Sequence, residues 1–268
     1  MKDLFIQDFG ARRFMIGMVH TPGLPGSPRY DREGGMRKVI AQALDDANAL
    51  ADAGFHALLY CNEADMPYET HLRAETVSAM TAVIMAVQAQ LRMPFGVNML
   101  IDPAASIAVA HATGGRFVRA FLTGGYVGDF GVYATEGAEI MRRRANIGAD
   151  DVRVMANVTP GFSVPSVDRP LADVAKGAVF IGLADAVVVG GSAAGVEVDL
   201  APLQAVAKAV PDTPLVVGTG AAVENVAKLM TVADGFIVGS SIKVDRKTLN
   251  PIDPGRARAY MEEVRRNS

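Results

Sequence analysis

Hydrophobic positions in this chain fall into short continuous runs, each followed by a stretch whose apolar residues recur at helical spacing. FMIGMVH (14–20) ends in the Pro/Gly loop TPGLPGSP and precedes MRKVIAQALDDANALADAG (36–54), a helical pattern with Gly54 as its stop signal. ALLYCNEAD (57–65) precedes ETVSAMTAVIMAVQAQL (75–91), and PFGVNMLID (94–102) precedes SIAVAHATG (106–114). RFVRAFLTG (116–124) leads to EGAEIMRRRANIG (136–148), and VRVMANVTPG (152–161) to LADVAKGAVFIG (171–182). ADAVVVGG, PLVVGTG and GFIVGSS, each with a helix, complete eight strand–helix units. Continuous Val/Ile/Leu runs are the strands of a parallel sheet covered on both faces. Eight uniform units, of roughly thirty residues each, predict a single (β/α)8 TIM barrel over residues 1–268. A doubly wound open sheet is the alternative.

The last three of these strands share an ending. VVVGGSAAG (187–195), VVGTGAAVENV (216–226) and FIVGSSIKV (236–244) all pass from a β-branched run into glycine and hydroxyl residues. In barrels of this class the active site lies at the strand C-termini, and the loops after strands 7 and 8 often bind phosphate. Glycine lets backbone N–H groups approach an anion, and hydroxyls add donors. Gly218, Thr219, Gly220, Gly239, Ser240 and Ser241 are therefore candidate phosphate ligands, extended by Gly190, Gly191 and Ser192. Lys243 could neutralise the phosphate or act as an amine nucleophile, or be a solvated loop lysine.

Polar residues at the other strand ends would converge on the same mouth. His20 closes the first strand and is the candidate acid–base group, since its ordinary pKa lies near working pH. Asn62 and Glu63 follow the second strand, Asn98 and Asp102 the third. Arg119 alternates with apolar neighbours and is expected to point inward, where it would need a carboxylate or phosphate partner. Asp102 or Asp129 could be that partner, or could bind a divalent ion with Glu63. No His, Cys or carboxylate spacing is specific for a metal, so neither metal nor cofactor is assigned. Asn157 ends the fifth strand. His56, His71 and His111 sit on or beside helices, which suits surface or packing roles.

Composition narrows the setting. The net charge of −3 gives no basis for binding nucleic acid or an anionic membrane. A single cysteine, Cys61, cannot form an internal disulfide, which favours a reducing cytoplasmic compartment. The opening MKDLFIQDFGARRF lacks the apolar core of a signal peptide, and no apolar run approaches the ~20 residues of a membrane span. The segment VSAMTAVIMAV within 75–91 is apolar almost all round, which predicts an exposed apolar face and a homo-oligomer.

Six stretches carry a family resemblance: IGMVHTPGLPGSPRY (16–30), FGVNML (95–100), RFVRAFLTGGYVGDFG (116–131), ADAVVVGGSAAG (184–195), PLVVGTGAAVENV (214–226) and ADGFIVGSSIKVD with NPIDP (233–254). On these the chain resembles the BtpA/SgcQ family, named partly for a factor in photosystem I biogenesis. The resemblance implies a phosphate-binding TIM barrel. Family members often carry Glu where Cys61 stands, and ionisable residues where this chain reads ANVTPGF (156–162). Asn157, Thr159, Gly161 and Phe162 are thus departures, implying a different substrate or a retained pocket with reduced chemistry. The expected function is an enzyme acting on a small phosphorylated ligand, a phosphosugar or nucleotide, by isomerisation, aldol-type lysis or glycosyl-bond cleavage. The alternative is a non-catalytic ligand-binding regulator or assembly factor.

Overall fold

Eight strands and their helices alternate as the hydrophobic pattern predicts, but the chain opens with a helix that the pattern does not announce. In the computed structural model, which describes residues 1–129, 131–161, 163–191 and 199–268, α1 (Lys2–Phe9) precedes β1 (Phe14–His20) and α2 (Gly35–Ala53). Next come β2 (Ala57–Cys61), α3 (Ala74–Gln88), β3 (Phe95–Asn98), α4 (Pro103–Thr113) and β4 (Phe117–Ala120). A hairpin of β5 (Gly125–Gly128) and β6 (Gly131–Ala134) follows, then α5 (Gly137–Asn146), β7 (Arg153–Asn157), β8 (Ser163–Pro165) and α6 (Leu171–Phe180). The chain ends with β9 (Ala186–Gly190), α7 (Leu200–Ala209), β10 (Leu215–Thr219), α8 (Val226–Leu229), β11 (Gly235–Val238) and α9 (Pro254–Arg266).

Strands β1, β2, β3, β4, β7, β9, β10 and β11 close in that order into a parallel barrel, with β11 pairing back onto β1. This is a (β/α)8 fold, as the run lengths predict. β5, β6 and β8 form a separate three-stranded antiparallel sheet built from the loops after β4 and β7.

Two apolar clusters follow from strand alternation. Outward residues such as Met15, Tyr60, Val97 and Val217 pack under the helices. Inward residues, among them Ile16, Leu59, Met155, Val188, Val216 and Ile237, fill the barrel. The lower end is closed by α1. Its Phe5 and Phe9 pack on Phe14 with ring centroids 5.7 and 4.7 Å away, and Phe9 meets Phe117 edge-on at 5.4 Å. Ion pairs Lys2–Asp234 (3.0 Å) and Asp8–Arg153 (3.5 Å) fasten the helix rim.

The apolar side of α3 is absorbed by this core. Ala79, Met80, Val83, Ile84 and Val87 are buried, and Met85 is the large side chain it leaves exposed. The surface expected from VSAMTAVIMAV is therefore not there. Large exposed apolar residues cluster instead at the end of α6, as Phe180, Ile181 and Leu183, and around the small sheet, as Val132, Val164 and Val167. Among the described residues no helix is long and apolar enough to cross a membrane.

Candidate active site

Strand parity decides which side chains reach the barrel mouth. Counting inward from Phe14, Ile16 and Met18 makes His20 the last inward residue of β1. The same count from Ala57 and Leu59 ends at Cys61, from Phe117 at Arg119, and from Met155 at Asn157. Register sets Cys61 between His20 and Asn98. On β9 and β10 the matching positions are Gly190 and Gly218, and Gly239 follows β11. One half of the mouth thus carries polar side chains and the other half bare backbone. The result is a cavity of about 560 Å³, lined by His20, Glu63, Asn98, Arg119, Asn157 and the glycine side: Gly190, Gly191, Gly218, Thr219, Gly220, Gly239, Ser240 and Ser241.

His20 has a defined tautomer. Its Nδ1–H donates to the Thr248 carbonyl at 3.0 Å, so Nε2 keeps its lone pair and faces Glu63 Oε2 at 3.9 Å. Burial, then the positive charges of Lys243 and Arg119, lower its pKa to about 3, against the weaker raising effect of the Thr248 bond. The imidazole is neutral at physiological pH, with a lone pair free to accept a hydrogen bond or ligate a metal, and is too weakly basic to hold a proton there. Burial raises the Glu63 carboxyl above its ordinary range, opposed by Cys61, Arg119 and Lys243. Burial and then the neighbouring Glu63 push the Cys61 thiol well up, and its S–H points at Glu63 Oε2, 3.5 Å away.

Arg119 points inward as expected, but its partners are neutral. Nε–H donates to Asn157 Oδ1 at 2.8 Å and Nη1–H to the Gly218 carbonyl at 3.3 Å. Among the described residues no carboxylate lies within ion-pair distance of it. Gly218 is glycine because space demands it: a Cβ there would meet Val188 Cγ1 at 2.3 Å and Arg119 Nη2 at 3.0 Å. Gly220 is different, with φ +91°, a left-handed conformation that favours glycine.

Several expected ligands lie elsewhere. Lys243 is fully buried outside the cavity, its Nζ 3.3 Å from Asp46 Oδ2 and 2.9 Å from the Asn250 carbonyl. It is neither the phosphate contact nor the accessible amine expected, because the turn at Ser240–Ile242 directs it behind the barrel wall. Asn62 is also fully buried and holds loops together, donating to Asp65 Oδ2 and accepting from Leu100 N–H. Asp102 caps α4, accepting from the N–H groups of Ala105 and Leu72, and lies outside the cavity lining, away from Arg119 and Glu63. Asp129 stands exposed at the β5–β6 hairpin tip, away from the cavity lining. Ser192 and Phe162 lie outside the described residues. The hydroxyls of Ser240, Ser241 and Thr219 are engaged with Thr248 Oγ1, the Ala221 carbonyl and the Gly218 carbonyl, at 2.7, 2.8 and 2.7 Å. His56 accepts from Met15 N–H, and His71 and His111 are exposed.

Two site residues escaped the sequence reading. In the sequence Cys61 stands out for its redox setting and as a departure from the Glu of the family, not as a site residue, although its parity with Ala57 and Leu59 places it at the mouth. Thr248, whose carbonyl fixes His20, sits in a turn-rich stretch with no periodic signal.

Comparison with known proteins accords with this barrel. The BtpA family model matches residues 11–266. The chain belongs to the BtpA family. The sgc region protein SgcQ of Escherichia coli is 39% identical over 95% of this chain and 95% of its own. The photosystem I biogenesis protein BtpA of Synechocystis is 33% identical, covering 98% of this chain and 91% of its own. Among solved structures, (S)-3-O-geranylgeranylglyceryl phosphate synthase from Thermoplasma acidophilum, in complex with sn-glycerol-1-phosphate, superposes with TM-score 0.63 at 14% identity, covering 99% of this chain and 98% of its own. That likeness is one of fold.

Proposed function

We propose that this family member is an enzyme that holds a small phosphorylated ligand, a phosphosugar or nucleotide, at the barrel mouth and moves protons on it. One observation carries the reading: the Arg119 guanidinium faces the cavity with only neutral hydrogen-bond partners, Glu63 acting on it through longer range. A desolvated cation of this kind calls for an anion, and a guanidinium suits the oxygens of a phosphate. The missing side chains of Gly218, Gly220 and Gly239 let main chain approach that anion, and this replaces the hydroxyl cradle of Ser240, Ser241 and Thr219. The N–H groups of Gly190 and Gly191 are already given to Thr159 Oγ1 and the Thr219 carbonyl. The solved synthase bound to a glycerol phosphate supports the class by analogy of fold.

In this reading Glu63, its carboxyl raised above the ordinary range by burial, exchanges protons with the ligand, and the neutral His20 Nε2 accepts a hydrogen bond that orients it. Asn98 and Asn157 orient polar ligand groups. One exchanging carboxyl suits isomerisation best. Schiff-base lysis through Lys243 is disfavoured, since no lysine lines the cavity among the described residues.

The test combines thermal melts across phosphorylated metabolites with solvent-deuterium exchange into any that bind. A rise in Tm with deuterium uptake lost in Glu63→Gln supports the reading; no rise with any phosphorylated ligand sinks it. A non-catalytic regulator or assembly factor is the second reading. The name of the Synechocystis relative and the neutral residues Asn157 and Thr159 favour it. It predicts binding without exchange. A homo-oligomer is proposed through Phe180, Ile181 and Leu183, and light scattering decides it.

A further inference from the structure

We propose that His20, Cys61 and Glu63 form a binding site for a divalent transition metal, zinc above all, at the floor of the mouth. The three residues come from two adjacent strands and the loop after the second. Their ligating atoms all lie within 4.8 Å of one another. Cys61 Sγ and Glu63 Oε2 are 3.5 Å apart, and His20 Nε2 and Glu63 Oε2 are 3.9 Å apart. Ligands of a tetrahedral zinc, at the usual bond lengths, are separated by about 3.3–3.6 Å, so the Cys61–Glu63 pair already matches and His20 has to draw closer to both on binding.

The surroundings fit a metal as well as the three atoms do. Zinc-bound imidazoles keep the correct tautomer by donating the other ring N–H to a carbonyl or carboxylate. His20 already donates Nδ1–H to the Thr248 carbonyl, leaving Nε2 for the metal. Asn98 Nδ2 lies 3.7 Å from Cys61 Sγ and can donate to a thiolate. Mixed nitrogen, sulfur and oxygen donors select zinc over magnesium or calcium. Cys61 is the inner ligand, while His20 and Glu63 line the cavity, which provides both the entry path and an open fourth position. Catalytic zinc sites share that arrangement, with three protein ligands and one exchangeable position.

Charge and protons balance. Binding breaks the Cys61 S–H bond, and the proton passes to solvent together with any proton on Glu63. A dication with one thiolate and one carboxylate is neutral. The cations facing it are Arg119, which the phosphate reading assigns to the ligand, and Lys243, which Asp46 pairs. The metal and the direct action of His20 Nε2 and Glu63 on the ligand use the same atoms and are exclusive states of the mouth. The metal nevertheless does not rest on the phosphate reading, because it is measured with no phosphorylated ligand present.

The experiment uses the full chain without an affinity tag, reduced with a non-chelating agent and stripped of metal, and titrated with cobalt(II) alone. One cobalt per chain should bind at micromolar concentration or tighter, with the strong visible bands of a four-coordinate ion. A near-ultraviolet thiolate-to-cobalt band should appear, and since Cys61 is the sole cysteine its assignment is unambiguous. Zinc should displace cobalt and abolish both features. Cys61→Ala should lose the thiolate band and weaken zinc by about 100-fold or more, beyond the 10–100-fold loss of removing an outer partner. Circular dichroism checks the fold, and Cys61→Ser serves if alanine unfolds. Absence of stoichiometric cobalt, or cobalt bound without the thiolate band, overturns the site. Failure of the phosphate melts with cobalt bound would overturn only the other reading.

Discussion

Replacing Arg119 with methionine should separate stability from binding. The guanidinium is desolvated at the cavity floor, where burial disfavours its charge, and it has only Asn157 and the Gly218 carbonyl as hydrogen-bond partners. Methionine fills similar volume without charge. Losing the two bonds costs about 1–3 kcal/mol if their acceptors go unpaired, while relief of the buried cation offsets a similar amount. Net stability should therefore change by no more than about 1 kcal/mol, a Tm shift of about 2–4 °C in a chain of this size. Binding should change far more. A charge-assisted contact to phosphate is worth about 1.5–3 kcal/mol, or roughly 10–150-fold in Kd. At ligand 100-fold above the parent Kd, linkage stabilises the parent by about 2.7 kcal/mol. The variant, with Kd weakened 10- to 100-fold, would retain about 0.4–1.4 kcal/mol. Differential scanning fluorimetry with and without a sugar phosphate, backed by calorimetric titration, reads both quantities. A variant that melts much earlier yet binds with unchanged affinity would refute the anion role and make Arg119 a structural strut.

Gly218→Val should destabilise by about 1–3 kcal/mol through overpacking against Val188 and Arg119, measured by urea unfolding. Gly239→Ala is the cleaner probe of the cradle, since its Cβ would meet Met18 and His20 at 3.4 and 3.5 Å without a clash; ligand affinity should fall while Tm holds. Lys243→Met should cost about 3–5 kcal/mol by leaving Asp46 buried and unpaired, and borohydride should trap no covalent adduct in the parent protein. His20 should show no titration between pH 5 and 8 by nitrogen-detected NMR, with the proton on Nδ1. Because its folded pKa of about 3 lies below the unfolded value near 6.5, the unfolded chain binds the extra proton between those limits. His20 therefore favours folding fully above pH 6.5 and progressively less as pH falls towards 3, by at most about 1.4 kcal/mol per unit. An NMR midpoint near 6 would contradict the burial argument.

Continuous apolar runs made the eight barrel strands readable, because a strand covered on both faces has no polar alternation to obscure it. The same simplicity hid the small sheet. β5, β6 and β8 are three or four residues long and largely exposed, with too little apolar content to stand out from loops. Helix α1 was masked by its charges, although Phe5 and Phe9, spaced four apart, mark the face that plugs the barrel. At the site, position at a strand's C-terminal end located His20, Asn98 and Asn157, and alternation with apolar neighbours located Arg119. Residues beyond the strand ends were not legible in this way. Lys243, Asn62 and Asp129 lie in turns, where no period tells which way a side chain points. Glu63, also beyond its strand, does reach the cavity.

The antiparallel sheet changes how the mouth can vary. In a barrel of this type the loops after the strands ordinarily diverge one at a time, each an independent module on a fixed frame. Here Tyr126, Val127 and Gly128, from the loop after β4, pair with Pro165, Val164 and Ser163, from the loop after β7. These two loops leave the strands that carry Arg119 and Asn157, the partners of the 2.8 Å bond across the floor. An insertion or deletion in either loop must preserve the register of the other or forfeit their pairing. The two behave as one unit of inheritance, so a new ligand preference on this side of the mouth requires coordinated change in segments about thirty-five residues apart.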